Sequence, residues 1–292
     1  MGYHGRLGNY QYGPLAQGIA PNGNVITGSA ATDNIYVFKD VDNQTLANAV
    51  SATPYTFLTG NPQYAMTTAG GQVYGAQLEG SAPYEHFNSD GSHSPIPGLT
   101  ATAFTGMWAD PVNGHIIASS NQGLIDIDPV TGTFRVITAN PDADGIAVSP
   151  DGKILYASVP IPGSTIQAYD IATGALLATY SANGHNSDGI GVISGGKFNG
   201  FIVVNDNDGT VGLIDPISGI EDIIASGGTR GDFVSPDTNN GTLFLSQQDE
   251  IARLSCGQGC RFVPPSVPEP ASLTLFAAAL LFFFGMRSRT RI

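Results

Sequence analysis

Charge is scarce in this chain. Only 12% of its 292 residues are charged, about half the roughly 25% of an average soluble protein. What charge there is has mostly one sign, with 11 basic against 24 acidic residues. Three of the basic residues, Arg287, Arg289 and Arg291, stand at the C-terminus, so the body up to Ser266 holds 8 basic and 23 acidic residues, a net of −15. Such a surface repels a phosphate backbone and argues against nucleic acid as a partner. Cysteine is nearly missing too: Cys256 and Cys260 are the pair in Cys-Gly-Gln-Gly-Cys. A zinc site would want a second pair or a nearby His, and none follows. The pair reads as a small-loop disulfide in an oxidising compartment, or as two free thiols. No Gly-x-Ser-x-Gly elbow, P-loop or His-Glu-x-x-His motif occurs. His4, His86, His93, His115 and His185 are scattered, with no i, i+4 pair. His115 and His185 fall at turns, which points to solvated imidazoles. The opening Met1–Asn9 lacks a charged segment followed by an apolar one, so no signal peptide is visible.

What the chain does have is turns. Gly and Pro number 38 and 19, which suits many short strands better than long helices. The stretch Asp144–Ala182 sets the pattern. It holds four short apolar runs, Ile146–Val148, Ile154–Val159, Ile166–Tyr169 and Ala175–Tyr180, separated by Pro150-Asp151-Gly152, Pro162-Gly163 and Asp170–Gly174. Runs of this length between Gly, Pro and Asp predict an antiparallel meander.

The pattern repeats. Asp170–Gly174 recurs as Asp128–Gly132 and Asp215–Gly219, each with a Gly where a hairpin needs positive φ. The opening Asp144-Gly145 recurs as Thr105-Gly106, Asp188-Gly189 and Arg230-Gly231, with weaker copies at Gln17-Gly18 and near Gln63. Six units result, about 17–60, 61–100, 101–140, 141–183, 184–227 and 228–260. Four strands every ~40–45 residues predict the blades of a β-propeller. The last unit shows three strands, near Phe233–Ser235, Leu243–Gln247 and Ile251–Ser255. The N-terminal segment should therefore close the ring, with Tyr10–Ala16 the available strand; a seventh blade stays open.

The wording of these units, Asp-Gly-Ile-Ala-Val-Ser-Pro-Asp-Gly-Lys-Ile-Leu-Tyr above all, resembles the NHL-type and senescence-marker/gluconolactonase propellers from about Gln17 to Ser255. The sole tryptophan, Trp108, precedes Ala109 rather than Asp, unlike the WD-repeat propellers.

The tail is a different object. Val267-Pro268-Glu269-Pro270-Ala271-Ser272 precedes an apolar run, Leu273–Met286, and then Arg287, Arg289 and Arg291. A helix over 271–286 would span about 24 Å, and flanking arginines can snorkel to reach a core of about 30 Å. The arginines place that end in the cytoplasm and the body outside. This three-part tail closely resembles the PEP-CTERM sorting signal of bacterial surface proteins. The resemblance implies that Pro268, Glu269 and Pro270 are the recognised motif and that an exosortase processes the tail. It also implies a signal peptide ahead of Met1, which this chain does not carry.

The full expectation is an all-β chain: a β-propeller of six four-stranded blades over 1–262, with N-terminal truncation left open, a linker with the sorting motif over 263–270, and a transmembrane helix with its Arg-rich tail over 271–292. Residues entering the innermost strands should face the central channel: Gln17, Gln63, Thr105, Asp144, Asp188 and Arg230, with Asp232 joining if the last blade shifts by two. Asp144, Asp188 and Asp232 could hold a hard cation such as Ca²⁺. The alternative is that Asp-Gly is a turn former and that Arg230 pairs with an Asp. In the gluconolactonase-like family Glu, Asn and Asp at similar strand entrances bind the metal, whereas Gln17 stands where the opening Glu would fall. Asn205–Gly209 looks like a calcium loop but lacks the glutamate seven residues on, and reads as a hairpin turn. The function expected is that of an exported, envelope-sorted propeller acting as a non-enzymatic binding or extracellular-matrix protein. Polysaccharide or envelope proteins would be its partners, with Tyr55, Tyr64, Tyr74 and Tyr84 as stacking surfaces. The alternative function is a metal-dependent, lactonase-like hydrolase.

Overall fold

The computed structural model describes residues 4–6, 14–29, 34–38, 53–57, 63–77, 84–96, 98–102, 104–139, 143–159, 164–183, 185–248, 250–255 and 260–262. All its named elements are strands, in six four-stranded sheets. The chain opens on β1 (His4–Arg6). The first blade is β2 (Pro14–Ile19), β3 (Val25–Ser29), β4 (Asn34–Phe38) and β5 (Thr53–Phe57). The second is β6 (Gln63–Ala69), β7 (Gln72–Gln77), β8 (Tyr84–Phe87) and β9 (His93–Pro95). The third is β10 (Gly106–Ala109), β11 (Ile116–Ser120), β12 (Gly123–Ile127) and β13 (Phe134–Thr138). The fourth is β14 (Ile146–Val148), β15 (Ile154–Val159), β16 (Thr165–Asp170) and β17 (Leu176–Ser181). The fifth is β18 (Ser187–Val192), β19 (Ile202–Asp206), β20 (Val211–Ile214) and β21 (Glu221–Ala225). The last holds β22 (Gly231–Pro236), β23 (Leu243–Gln247) and β24 (Glu250–Leu254), with β1 as its outermost strand.

Six blades close the ring, because β2 packs against both β6 and β22. The N-terminal segment does supply the fourth strand of the last blade, as expected, but through His4–Arg6, with His4 opposite Ala252. The expected Tyr10–Ala16 strand is not the closing one. Leu15, Ala16 and Ile19 are apolar and fully buried, so this stretch belongs to an inner strand, and β2 takes it from Pro14 onward. Pairing β1 with β24 in one sheet ties the two ends of the ring together, and the outer edge that remains is a strand of three residues.

Apolar side chains alternate into the space between blades. Ile146, Val148, Leu155, Ala157 and Ile166 meet Ile190, Val192 and Val204 in one continuous cluster of the fourth and fifth blades. The repeated Asp-x-x-x-Gly turn is built as its sequence suggests. In Asp170–Gly174 the Asp170 carboxylate accepts the Thr173 N–H at 2.7 Å, and Gly174 sits at φ +72. Gly132 and Gly219, at φ 71 and 72, repeat it. Such a left-handed residue costs an L side chain roughly 1–2 kcal/mol.

The last described segment, 260–262, crosses the underside of the ring. Arg261 N–H donates to Ser194 O at 2.8 Å, and Phe262 N–H donates to Gly241 O at 2.9 Å. Cys260 is disulfide-bonded; Cys256, the chain's other cysteine, lies outside the described residues. The apolar run to Met286, Pro268, Glu269, Pro270 and the three terminal arginines lie outside them as well. Among the described residues no helix is long and apolar enough to cross a membrane.

Candidate functional site

The channel has two ends, set by strand direction. Asp188 and Asp232 stand near the starts of β18 and β22. The far ends of the inner strands, at Ala69, Ala109, Val148, Val192 and Pro236, line a pocket of about 420 Å³ with Trp108, Asp110 and Phe262. From Asp188 to Val192 a strand runs about 13 Å, so acid mouth and pocket lie at opposite ends of the ring.

The acid mouth depends on missing side chains. A Cβ on Gly106 would lie 2.1 Å from Asp144 O, one on Gly145 2.2 Å from Asp188 O, and one on Gly189 2.1 Å from Asp232 O. None of these glycines has positive φ. They are glycine because each inner strand lies against the backbone of the next blade, so the Asp-Gly pairs are not turn formers. The same contacts fix the register. Asp144, Asp188 and Asp232 are equivalent positions, which corrects the placement of Arg230 in that series: Arg230 stands two residues ahead of it.

Arg230 lies between two of these acids. Its Nη1 is 2.8 Å from Asp232 Oδ2 and its Nη2 is 3.2 Å from Asp188 Oδ2. Asp188 is buried, and its Oδ1 has no hydrogen-bond partner. Burial drives its carboxyl well above the usual range; repulsion from Asp232 and Asp144 adds to this, and Arg230 opposes it. Burial likewise pushes Asp232 up to about 7, against the pull of Arg230 and with a further push from Asp144. Asp144 is held by its N–H donating to Ser158 O at 2.8 Å. Its charge is felt by Asp188, Asp232, Arg230 and Tyr64. Tyr64 completes the mouth, edge-on to Phe233 with ring centroids 6.1 Å apart. Burial and then Asp232 raise its phenol.

The neutral members of the expected ring turn elsewhere. Gln17 Nε2 donates to Leu15 O at 2.9 Å, and Gln63 Nε2 donates to Glu85 Oε2 at 3.0 Å. Thr105 Oγ1 donates to Ala143 O at 2.5 Å. Tyr74 and Tyr84 are not surface platforms: both are buried, stacked on each other with centroids 5.8 Å apart. Aromatics alternating along strands look alike to a sequence reading whether they face a neighbouring blade or a solvent groove. Only Tyr64 carries a signal that could have marked it, its place one residue into an inner strand.

A hard cation at Asp144, Asp188 and Asp232 would compete with the Arg230 guanidinium for Asp188 Oδ2 and Asp232 Oδ2. Among the described residues, one trio brings three ligand atoms within 4.8 Å of one another, and it is His185, Asp206 and Asp208.

Comparison with known proteins bears on both parts of the chain. Residues 266–289 match the PEP-CTERM protein-sorting motif. The motif implies export, membrane anchoring at the bacterial envelope and processing by an exosortase-type enzyme. No curated protein matches the chain. Among solved structures, the body resembles a protein described as a candidate gluconolactonase, with a TM-score of 0.67, 16% identity, and 90% of this chain and 94% of that chain covered. A gluconolactonase of Xanthomonas campestris gives a TM-score of 0.63 at 14% identity, with 85% and 90% covered. A streptogramin B lyase gives 0.56 at 13%, with 88% and 98% covered. Identities this low establish the shared six-bladed propeller fold and nothing of the chemistry.

Proposed function

We propose that this chain is an envelope-sorted propeller acting as a non-enzymatic binding or matrix protein, with an extracellular polysaccharide as the ligand of its acid mouth. The observation that carries the reading is the Arg230 bridge. Asp188 and Asp232 already have a fixed cation at 3.2 and 2.8 Å respectively. Fork-shaped guanidinium donors beside carboxylate acceptors, with the half-buried ring of Tyr64 at the rim, suit hydroxyl-rich ligands. Orientation supports it. The described body ends at Phe262, in the pocket opposite the acid mouth, and the sorting motif begins at 266. A body held through its tail would therefore present Asp188 and Arg230 away from the membrane.

The test is binding of the purified full chain to extracellular polysaccharide from a host bearing the sorting system. The expected result is saturable binding, reduced tenfold or more in Arg230→Gln. Equal retention of parent and variant rejects the acid mouth as the site.

A second reading, a metal-dependent lactone hydrolase, is supported by the likeness to two solved propellers named for gluconolactonase activity and by the three acids. Asp144, Asp188 and Asp232 would hold the ion, which would polarise the lactone carbonyl. A lactone panel with added Ca²⁺, Mn²⁺ or Zn²⁺ decides it. Turnover lost in Asp144→Asn supports the reading, and no turnover with any metal ends it.

A further inference from the structure

The β19–β20 hairpin, Asp206-Asn207-Asp208-Gly209-Thr210, is a turn, as its sequence suggests: Gly209 N–H donates to Asp206 O at 3.1 Å, and its φ is 82. The fold then brings to it two residues that no linear motif contains. His185, from the connection between β17 and β18, places Nδ1 2.6 Å from Asp208 Oδ2. Glu221 arrives from β21.

Register puts Glu221 on the same face. Asp206 faces Thr210 across the hairpin, Val204 pairs with Gly212, and Ile214 pairs with Glu221. Paired residues share a face and alternate along each strand. Asp206, Thr210, Gly212 and Glu221 therefore point the same way. Gly212 clears the path, since a Cβ there would lie 2.2 Å from Glu221 Oε1. The Glu221 side chain thus runs over Gly212 along the row that leads to Asp206.

Two buried carboxylates lie on this face with oxygens that lack hydrogen-bond partners. Asp206 is fully buried, with Oδ2 3.0 Å from the Thr210 hydroxyl and Oδ1 lacking any hydrogen bond. Glu221 is 9% exposed, and neither of its oxygens has a hydrogen bond of normal geometry. Burial and then Asp206 push its carboxyl above the usual range, with a smaller push from Asp208, while His185 and Asn183 oppose the shift. The acid mouth of the channel has Arg230 to offset its acids. Here the positive group acting on both carboxylates is His185. Buried carboxylates left in this state either take up a proton or pair with a cation.

We infer that His185, Asp206, Asp208 and Glu221 form a binding site for a first-row divalent cation such as Zn²⁺. One imidazole nitrogen with carboxylate oxygens is a donor set for such ions rather than for Ca²⁺, which takes six to eight oxygens. The ligand atoms of His185, Asp206 and Asp208 already lie within 4.8 Å of one another. A bound ion replaces the proton that His185 and Asp208 share, and these two atoms then open to about 3.3 Å for bonds of about 2.1 Å.

The experiment titrates Zn²⁺, and separately Ca²⁺, into the chelator-treated full chain, with metal content read by mass spectrometry and affinity by calorimetry. The expected result is one Zn²⁺ per chain, bound more tightly than Ca²⁺. Affinity should fall about tenfold or more in His185→Ala and Asp206→Asn and stay unchanged in Asp188→Asn. Circular dichroism checks each fold, and the partly exposed His185 makes its variant the decisive one should Asp206→Asn misfold. The assignment is overturned by absence of stoichiometric Zn²⁺, by preference for Ca²⁺, by Zn²⁺ binding that survives His185→Ala, or by binding lost in Asp188→Asn.

Discussion

Gly189 has no side chain where the carbonyl oxygen of Asp232 needs the space: a Cβ at that position would sit 2.1 Å from it. Gly145 stands in the same relation to Asp188 O, at 2.2 Å. These contacts set how closely the fourth, fifth and sixth blades approach around the channel.

Gly189→Ala should therefore push the last two blades apart. Overpacking costs about 1–3 kcal/mol, and backbone yields less readily than a side chain, so the loss should reach the upper end of that range. Chemical denaturation measures it. Loss of the ion pairs of Arg230 with Asp188 and Asp232 should accompany it, since the mutation displaces the backbone of Asp232 itself. Unchanged stability in Gly189→Ala would mean the blades are not held in this register.

The acid mouth should make the protein less stable as pH rises. Asp188 and Asp232 have folded-state carboxyls raised above their unfolded range, Asp232 to about 7. The native state then binds more protons than the unfolded state between about pH 4 and 7, so stability falls across that interval. Above about pH 7 the Asp232 part of this slope levels off. Asp232→Asn should flatten the slope, and Arg230→Gln should steepen it, because removing the guanidinium raises both acids further. At pH 8, Arg230→Gln should cost about 1–3 kcal/mol, less than for a fully buried pair because Arg230 is partly exposed. At pH 5 the cost should shrink. Thermal unfolding of the chelator-treated protein between pH 4.5 and 8.5 reads the parent and both variants. A parent whose stability climbs over that window would contradict the shifts.

Replacing Pro268-Glu269-Pro270 with alanines should leave the propeller folded and halt sorting. Proline cannot donate a backbone hydrogen bond and disfavours helix in the residue before it, a chemistry that suits recognition of the motif by a processing enzyme. In a host with the sorting enzyme, and with a signal peptide added, the variant should stay uncleaved in the inner membrane. The parent should leave that fraction. Cell fractionation decides it: an alanine variant that reaches the surface like the parent removes the motif from the mechanism.

Much of the fold was legible because it is written locally. In the fourth blade, β14 and β15 fall on the expected residues, and β16 and β17 differ from the expected runs by one residue at the ends. Short apolar runs bounded by turns, with a turn glycine at positive φ, leave a mark in any short window of sequence. The closing strand was placed wrongly because an outer strand of three residues, His4–Arg6, carries too little apolar patterning to outbid Tyr10–Ala16.

The candidate sites divide the same way. The sequence alone determined the repeat, the Asp-Gly series that marks the inner strands, and the sorting motif at the tail, since each is a contiguous string. Only the tertiary structure decided which acid is equivalent to which, because the Gly189–Asp232 contact lies across a blade boundary and selects Asp232 over Arg230. It also decided that Arg230 reaches two carboxylates, one of them 42 residues away. And it alone brought His185 and Glu221 to the Asp206–Asp208 hairpin, because strand register and ring closure, which depend on the packing of the whole chain, set which side chains share a face.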